Sequence, residues 1–200
     1  MIALIDYGAG NLTSVRKGFA AVGGELYTPA TPRDLGKSRG IVVPGVGNFA
    51  ATSALEGSWT DAIRSAVARG VPLFGICLGL QWLFEGSDEA ADVAGLGAIA
   101  GKCWRIPQKD GLKVPHVGWN SLHVPRVSRL LGGVAENAQV YFTHSYAAPV
   151  TAETAATCEH GAMFAAAIES GNIFGVQFHP EKSSEPGLQI LRNFVRLTRG

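Results

Sequence analysis

Val71-Pro-Leu-Phe-Gly75-Ile-Cys77-Leu-Gly79-Leu-Gln81-Trp-Leu-Phe-Glu85 contains the turn that decides the fold. The apolar run from Val71 to Ile76 reads as a strand buried on both faces, as in a parallel sheet. It meets Cys77 and passes at once into a helix-compatible stretch, Leu78 to Glu85. A strand that turns this sharply into a helix has no space for bulky neighbours, and Gly75 and Gly79 flank the cysteine two residues away on each side. The pattern is that of a nucleophile elbow, which thrusts its tip residue into solvent at the C-terminal edge of a sheet. The N-terminus of the following helix favours the thiolate, the nucleophilic form. A free cysteine is equally a small hydrophobe suited to a core, and the elbow alone leaves both readings open.

Outward from this turn the chain alternates strands with helices. Ile2-Ala-Leu-Ile5 is a buried strand entering Asp6-Tyr-Gly8-Ala-Gly10, and Asn11 is placed to cap a helix carrying Leu12, Val15, Phe19 and Val22 at helical spacing. Glu25–Thr28 and Ile41–Val43 are further strands, the latter feeding Pro44-Gly-Val-Gly47, and residues 58–69 form a helix. From Gly97 to Val127 the pattern changes to short β segments broken by Gly and Pro. Gln139–Thr143, Ala155–Cys158 and Phe164–Ile168 follow as strands, partly antiparallel. Ile173–Phe178 is a last strand before His179-Pro-Glu181, and a helix over about 184–198 lines up Leu188, Leu191, Phe194 and Val195. The expected fold is α/β: a mostly parallel, doubly wound, flavodoxin-like sheet flanked by helices, with a small antiparallel β region. No linker or repeat divides residues 1–200, so a single domain is expected.

Composition narrows the function. Hydrophobic residues are 46% of the chain and charged ones 16%, which suits a compact core, and the net charge of +1 disfavours nucleic acid or a membrane surface as partner. The N-terminus lacks a signal-peptide pattern, and Cys77, Cys103 and Cys158 lack metal-ligand spacing; a reduced cytoplasmic protein without metal or cofactor is expected. The Gly8-Ala-Gly10 turn stops short of a dinucleotide fingerprint, because Thr13 stands where the third glycine belongs.

A cysteine nucleophile needs a base and a group to orient it. His179 and Glu181 lie two residues apart just past a strand, where extended backbone would turn both side chains to one side. Cys77 and His179 both end strands, and active sites in doubly wound sheets gather at that edge. Acyl transfer also needs oxyanion donors. The N–H of Leu78 is one, and the glycines of Pro44-Gly45-Val46-Gly47 let backbone N–H groups approach a substrate. His123 and His160 show no matching partners and read as surface or structural residues.

The loop Pro44–Gly47, the elbow Gly75-Ile-Cys77-Leu-Gly79-Leu-Gln81 and the late His179-Pro-Glu181, in this order along the chain, resemble the class I (triad) glutamine amidotransferases over essentially the whole chain. The resemblance implies hydrolysis of the glutamine side-chain amide by Cys77 through a thioester, with His179 as base and Glu181 orienting it. It further implies that Gln81, the backbone around Gly45, Val46 and Gly47, and the stretch His144-Ser145-Tyr146 hold L-glutamine. Within the family, four stretches are similar to the glutaminase subunits of imidazole glycerol phosphate synthases: Asp6–Asn11, Lys113-Val-Pro-His-Val-Gly-Trp-Asn120, Tyr141-Phe-Thr-His-Ser-Tyr146 and His179-Pro-Glu-Lys-Ser183. That similarity implies a heterodimer with a cyclase subunit, a (β/α)8 barrel that consumes the ammonia in histidine biosynthesis. Asn11, Trp119, Asn120, Tyr141 and Lys182 are then expected near the interface; Trp119 fits an interface anchor, or else an ordinary core tryptophan. The isolated chain is expected to be a poor glutaminase, because a glycine-rich Pro44–Gly47 strand can turn the Val46 N–H away from the oxyanion. The alternatives are a glutaminase for pyridoxal phosphate, anthranilate or purine synthesis, or a non-catalytic regulatory subunit on the same fold.

Overall fold

The computed structural model describes residues 1–109 and 111–199. In chain order its elements are β1 (Ile2–Leu4), α1 (Leu12–Ala21), β2 (Leu26–Tyr27), β3 (Gly40–Gly45), α2 (Ser58–Ala68), β4 (Leu73–Cys77) and α3 (Leu78–Leu83). Then follow β5 (Gly86–Ser87), β6 (Lys102–Arg105), β7 (His116–Ser121), β8 (Gln139–His144) and β9 (Tyr146–Ala147). The chain closes with β10 (Thr154–His160), β11 (Ala162–Ser170), β12 (Ile173–Val176) and α4 (Ser184–Leu197).

Seven strands form the main sheet in the order β10-β11-β12-β4-β3-β1-β2. From β12 to β2 the pairings are parallel, and β10, β11 and β12 form an antiparallel arm at one side. The fold is α/β, as expected. Alternation along each strand sends residues to two separate cores. Val42, Phe74 and Ile76 join Val15, Phe19, Leu191 and Phe194 on the face covered by α1 and α4. Ile41, Val43 and Leu73 join Ile63, Ala66, Leu80 and Trp82 on the face covered by α2 and α3. Asn11 caps α1, its Oδ1 accepting from the Ser14 N–H at 3.2 Å. The two-stranded ribbon β7-β8 and the β6-β9 pairing of the short sheet β5-β6-β9 supply the antiparallel additions, while β5 pairs with β6 in parallel.

This topology places the elbow. β4 lies between β3 and β12, with Gly45 paired opposite Cys77 and Val176 opposite Ile76, so three strands end level at the C-terminal edge. Among the described residues no helix is long and apolar enough to cross a membrane.

Candidate active site

Cys77 has φ +55° and ψ −106°, a conformation that L-residues avoid and that costs of order 1–3 kcal/mol. The surroundings enforce it: a Cβ at Gly79 would overlap the Val43 carbonyl, and one at Gly75 would collide with the Gly79 backbone. Both glycines are therefore required by close approach of β4, α3 and β3. The helix that starts here is shorter than the sequence suggested, ending at Leu83 rather than Glu85. The sulfur is not thrust into solvent either. Cys77 is 4% exposed and forms part of the wall of a pocket of about 210 Å³, because the β8–β9 junction folds over the sheet edge.

His179 and Glu181 come together beside it. His179 Nδ1 lies 2.8 Å from Glu181 Oε1, and both side chains are almost fully buried. The route differs from the extended backbone expected. His179 itself is extended, but residues 180–182 form a 3-10 turn that curls Glu181 back under the imidazole. β8 fixes the turn: the His179 N–H donates to the Tyr141 carbonyl at 2.9 Å. The Ser183 hydroxyl donates to the His179 carbonyl at 2.6 Å and accepts from the Tyr141 N–H at 2.9 Å. With Nδ1 occupied by Glu181, Nε2 is left buried without a hydrogen-bond partner. Burial works to lower the His179 pKa, but interaction with the Cys77 sulfur and with Glu181 outweighs it, and the value is pushed up to about 10. An imidazolium held beside a thiol is the arrangement that activates a cysteine nucleophile.

The pocket takes its wall from both halves of the chain: Val46, Gly47, Leu78 and Gln81 from one, His144, Ser145 and Tyr146 from the other. Gly45 is not on that wall. It is buried beneath, and the Tyr7 hydroxyl fills the space a side chain would take. Sequence reasoning missed four residues here. Glu89 and Pro115 line the pocket; Glu89 Oε2 accepts from the Phe49 N–H at 2.8 Å, and nothing in its local sequence distinguishes it from a surface charge. Thr143 also lines the pocket. Gln177, fully buried, points its amide at Cys77, and a polar residue inside the apolar run Ile173–Phe178 was the available signal.

Three further histidines form a chain behind the pocket. His144 Nδ1 donates to the Tyr146 carbonyl at 2.9 Å, which leaves its Nε2 to accept from His116 Nδ1 at 3.1 Å. The Nε2 of His116 in turn accepts from Asn120 Nδ2 at 3.3 Å, and His160 stacks on His116 with ring centroids 4.0 Å apart. Burial lowers the pKa of His144 to about 3 and that of His116 to about 4, with neighbouring imidazoles acting in the same direction. The Nε2 of His160 lies 2.8 Å from the Lys113 carbonyl. His123, read as unpartnered, pairs with Glu136 at 2.7 Å on the surface, because β7 and β8 bring distant segments together.

The residues expected at an interface divide. Trp119 is 51% exposed and meets Tyr141 edge-on at 6.0 Å, with the Lys182 ammonium 5.8 Å from the Tyr141 ring centre. Asn120 faces inward to His116 and the Glu159 carbonyl. Asn11 is exposed at the start of α1.

The family model for glutamine amidotransferase class-I matches residues 3–197. The chain belongs to the class-I glutamine amidotransferases. Among curated relatives, the imidazole glycerol phosphate synthase subunit HisH of Moorella thermoacetica is 46% identical over 202 residues, covering 99% of this chain and 95% of that protein. The subunit of the same name from Methanothermobacter thermautotrophicus is 44% identical over 200 residues, covering all of both chains. Among solved structures, a glutamine amidotransferase matches with TM-score 0.76 at 19% identity and full coverage of both chains. PurLQS from Thermotoga maritima matches with TM-score 0.75 at 17% identity, covering 98% of this chain and 97% of that one. As a class-I amidotransferase, the chain is a glutamine-hydrolysing enzyme.

Proposed function

We propose that the chain is the glutaminase subunit of an imidazole glycerol phosphate synthase, a single domain that docks on a (β/α)8 cyclase subunit and feeds it ammonia. One observation carries the reading: Cys77 lies on the wall of a pocket of about 210 Å³, with the His179–Glu181 pair beside it. The setting is a chain 44–46% identical, from end to end, to subunits of that name. Three unpaired cysteines fit a reducing cytoplasm.

In this mechanism the Cys77 sulfur attacks the carboxamide carbon of glutamine. The resulting oxyanion is met by the Leu78 N–H and a backbone N–H of the Val46–Gly47 stretch, and loss of one such donor costs about 10²–10³ in rate. His179, held by Glu181, gives its Nε2 proton to the departing nitrogen. The C–N bond breaks and ammonia leaves a glutamyl thioester. The now neutral imidazole takes a proton from water, whose oxygen attacks the thioester; glutamate departs and the thiolate and imidazolium are restored. Glu89, the acidic residue on the pocket wall, suits the α-ammonium of the substrate. Ammonia is the reactive, neutral form and would protonate in bulk water, which favours transfer through a closed interface. The cluster of exposed Trp119 and Lys182 around half-buried Tyr141 supports that surface as the docking face.

The test is glutamate release from glutamine by wild type and Cys77→Ala, with and without a cyclase subunit of an imidazole glycerol phosphate synthase and its ribonucleotide ligand. Activity requiring both Cys77 and the liganded cyclase is expected. Cys77-dependent activity indifferent to the cyclase would assign another acceptor, and inactivity throughout would remove the glutaminase reading.

A further inference from the structure

A side-chain amide can turn either oxygen or nitrogen toward a sulfur, and the choice decides whether it opposes or favours negative charge there. Around Cys77 the choice is made by a backbone carbonyl. The Tyr146 oxygen can only accept, and Gln81 Nε2 lies 2.8 Å from it, so Gln81 presents its NH2 group to this side. The second N–H of that group lies 3.1 Å from Gln177 Oε1, which is thereby fixed as an acceptor. The Nε2 of Gln177 is then left facing the Cys77 sulfur at 3.6 Å. Gln81 is 4% exposed and Gln177 fully buried, so the amides are shielded from water that could compete for these bonds.

We propose that Gln177 is a further catalytic residue, donating its Nε2–H to the Cys77 sulfur and stabilising the negative charge that the sulfur carries, with Gln81 as the positioning residue that aims it. The inference rests on the glutaminase reading of Cys77 and adds a donor to it. A hydrogen bond to an ionised acceptor is roughly twice as strong as one between neutral groups. The same N–H therefore holds a thiolate more firmly than a thiol or a thioester sulfur. It acts at two points of the cycle: before attack, and again when hydrolysis expels the sulfur from the thioester. Two anchored amides in series need no reorganisation as charge appears, which is what makes a fixed donor effective in a water-poor site.

The experiment is alkylation of Cys77 by iodoacetamide, followed by intact mass from pH 5 to 10 in wild type, Gln177→Glu and Gln177→Met, with Cys77→Ala as background. Glutamine and cyclase are absent, so the result stands apart from whether the acceptor pathway is assigned correctly. Gln177→Glu keeps the shape and the acceptor facing Gln81 but turns an oxygen toward the sulfur; Gln177→Met removes both polar ends. Both variants are expected to retain cooperative melting, with the rate-against-pH curve displaced upward by about one unit and the rate on its acidic limb about tenfold lower. Gln177→Glu should show the larger shift. Folded variants whose curves superimpose on wild type would overturn the proposal, because a residue that merely fills space would not move them. If neither variant folds, Gln81→Met decides: freeing the Gln177 amide should displace the curve the same way, and an unmoved curve overturns the proposal.

Discussion

Acidification from pH 7 to pH 5 should cost this protein about 2 kcal/mol of stability, and the histidine chain behind the pocket is the reason. An unfolded imidazole takes up a proton near pH 6.5, whereas His144 is held to about 3, first by burial and then by the His116, His160 and His179 imidazoles, against the opposing pull of the Tyr146 carbonyl. Across this interval the unfolded state therefore binds a proton that the native state refuses, and at 1.36 kcal/mol per unit the loss is about 2 kcal/mol for His144. His116, held to about 4 by burial and by His160, is less deeply enclosed and adds about half as much. His179 has the opposite sign. Its value of about 10 means that its stabilisation is complete below 6.5 and is lost as pH rises through 10, so acidification recovers about 1 kcal/mol. Urea unfolding at pH 7, 6 and 5 at constant ionic strength measures the balance, and a His116→Asn/His144→Asn double variant should lose the acid-side slope. A wild-type stability that is flat or rising between pH 7 and 5 would refute the reasoning, because it would mean that the chain accepts protons within the fold.

Three further outcomes follow from the geometry. Gly79→Ala should lower the melting temperature by more than 10 °C or abolish soluble expression, since the new methyl has only the Val43 carbonyl to occupy. Glu89→Ala should raise KM for glutamine about 10- to 100-fold, the worth of a charged hydrogen bond, measured as steady-state glutamate release in the presence of the liganded partner. Trp119→Ala should leave the melting temperature within a few degrees, because the side chain is half exposed, while weakening cyclase binding at least tenfold by calorimetry.

The elements were legible where a pattern repeats. Strand runs such as Ile41–Val43 and Ile173–Val176, and the stripe of Leu191, Phe194 and Val195, announce themselves through period and punctuation. The elbow was readable because two glycines at fixed offsets leave few other reasons for their presence. What local reading missed depends on segments far apart in the chain. Glu89 reaches the pocket because its carboxylate is bound by the Phe49 N–H, forty positions upstream. The burial of Cys77 depends on Thr143 to Tyr146 arriving from β8. Extended backbone would turn Glu181 and His179 to one side, whereas Pro180 opens a 3-10 turn and Glu181 reaches the imidazole by curling back. Spacing names the residues that can meet, and the contacts that bend the chain decide how they do.

The ribbon β7-β8 carries more than its two strands suggest. Along β7, His116 and Asn120 look inward to the chain that ends at Tyr146, while Val117 and Trp119 look out. The pairing of Trp119 with Tyr141 and of His116 with His144 is held from outside the ribbon, by the His123–Thr157 bridge to β10 just past β7 and by the bonds of Tyr141 to His179 and Ser183. A slip of one residue would bury the tryptophan, turn the imidazole toward water and detach the pocket wall together. Residues 122–138, which join the two strands and are anchored in the core by Leu122, Leu130 and Leu131, are thus a spacer of set length. Point changes at its exposed positions, such as Val127, should pass unnoticed, while a single-residue deletion should damage docking and pocket at once.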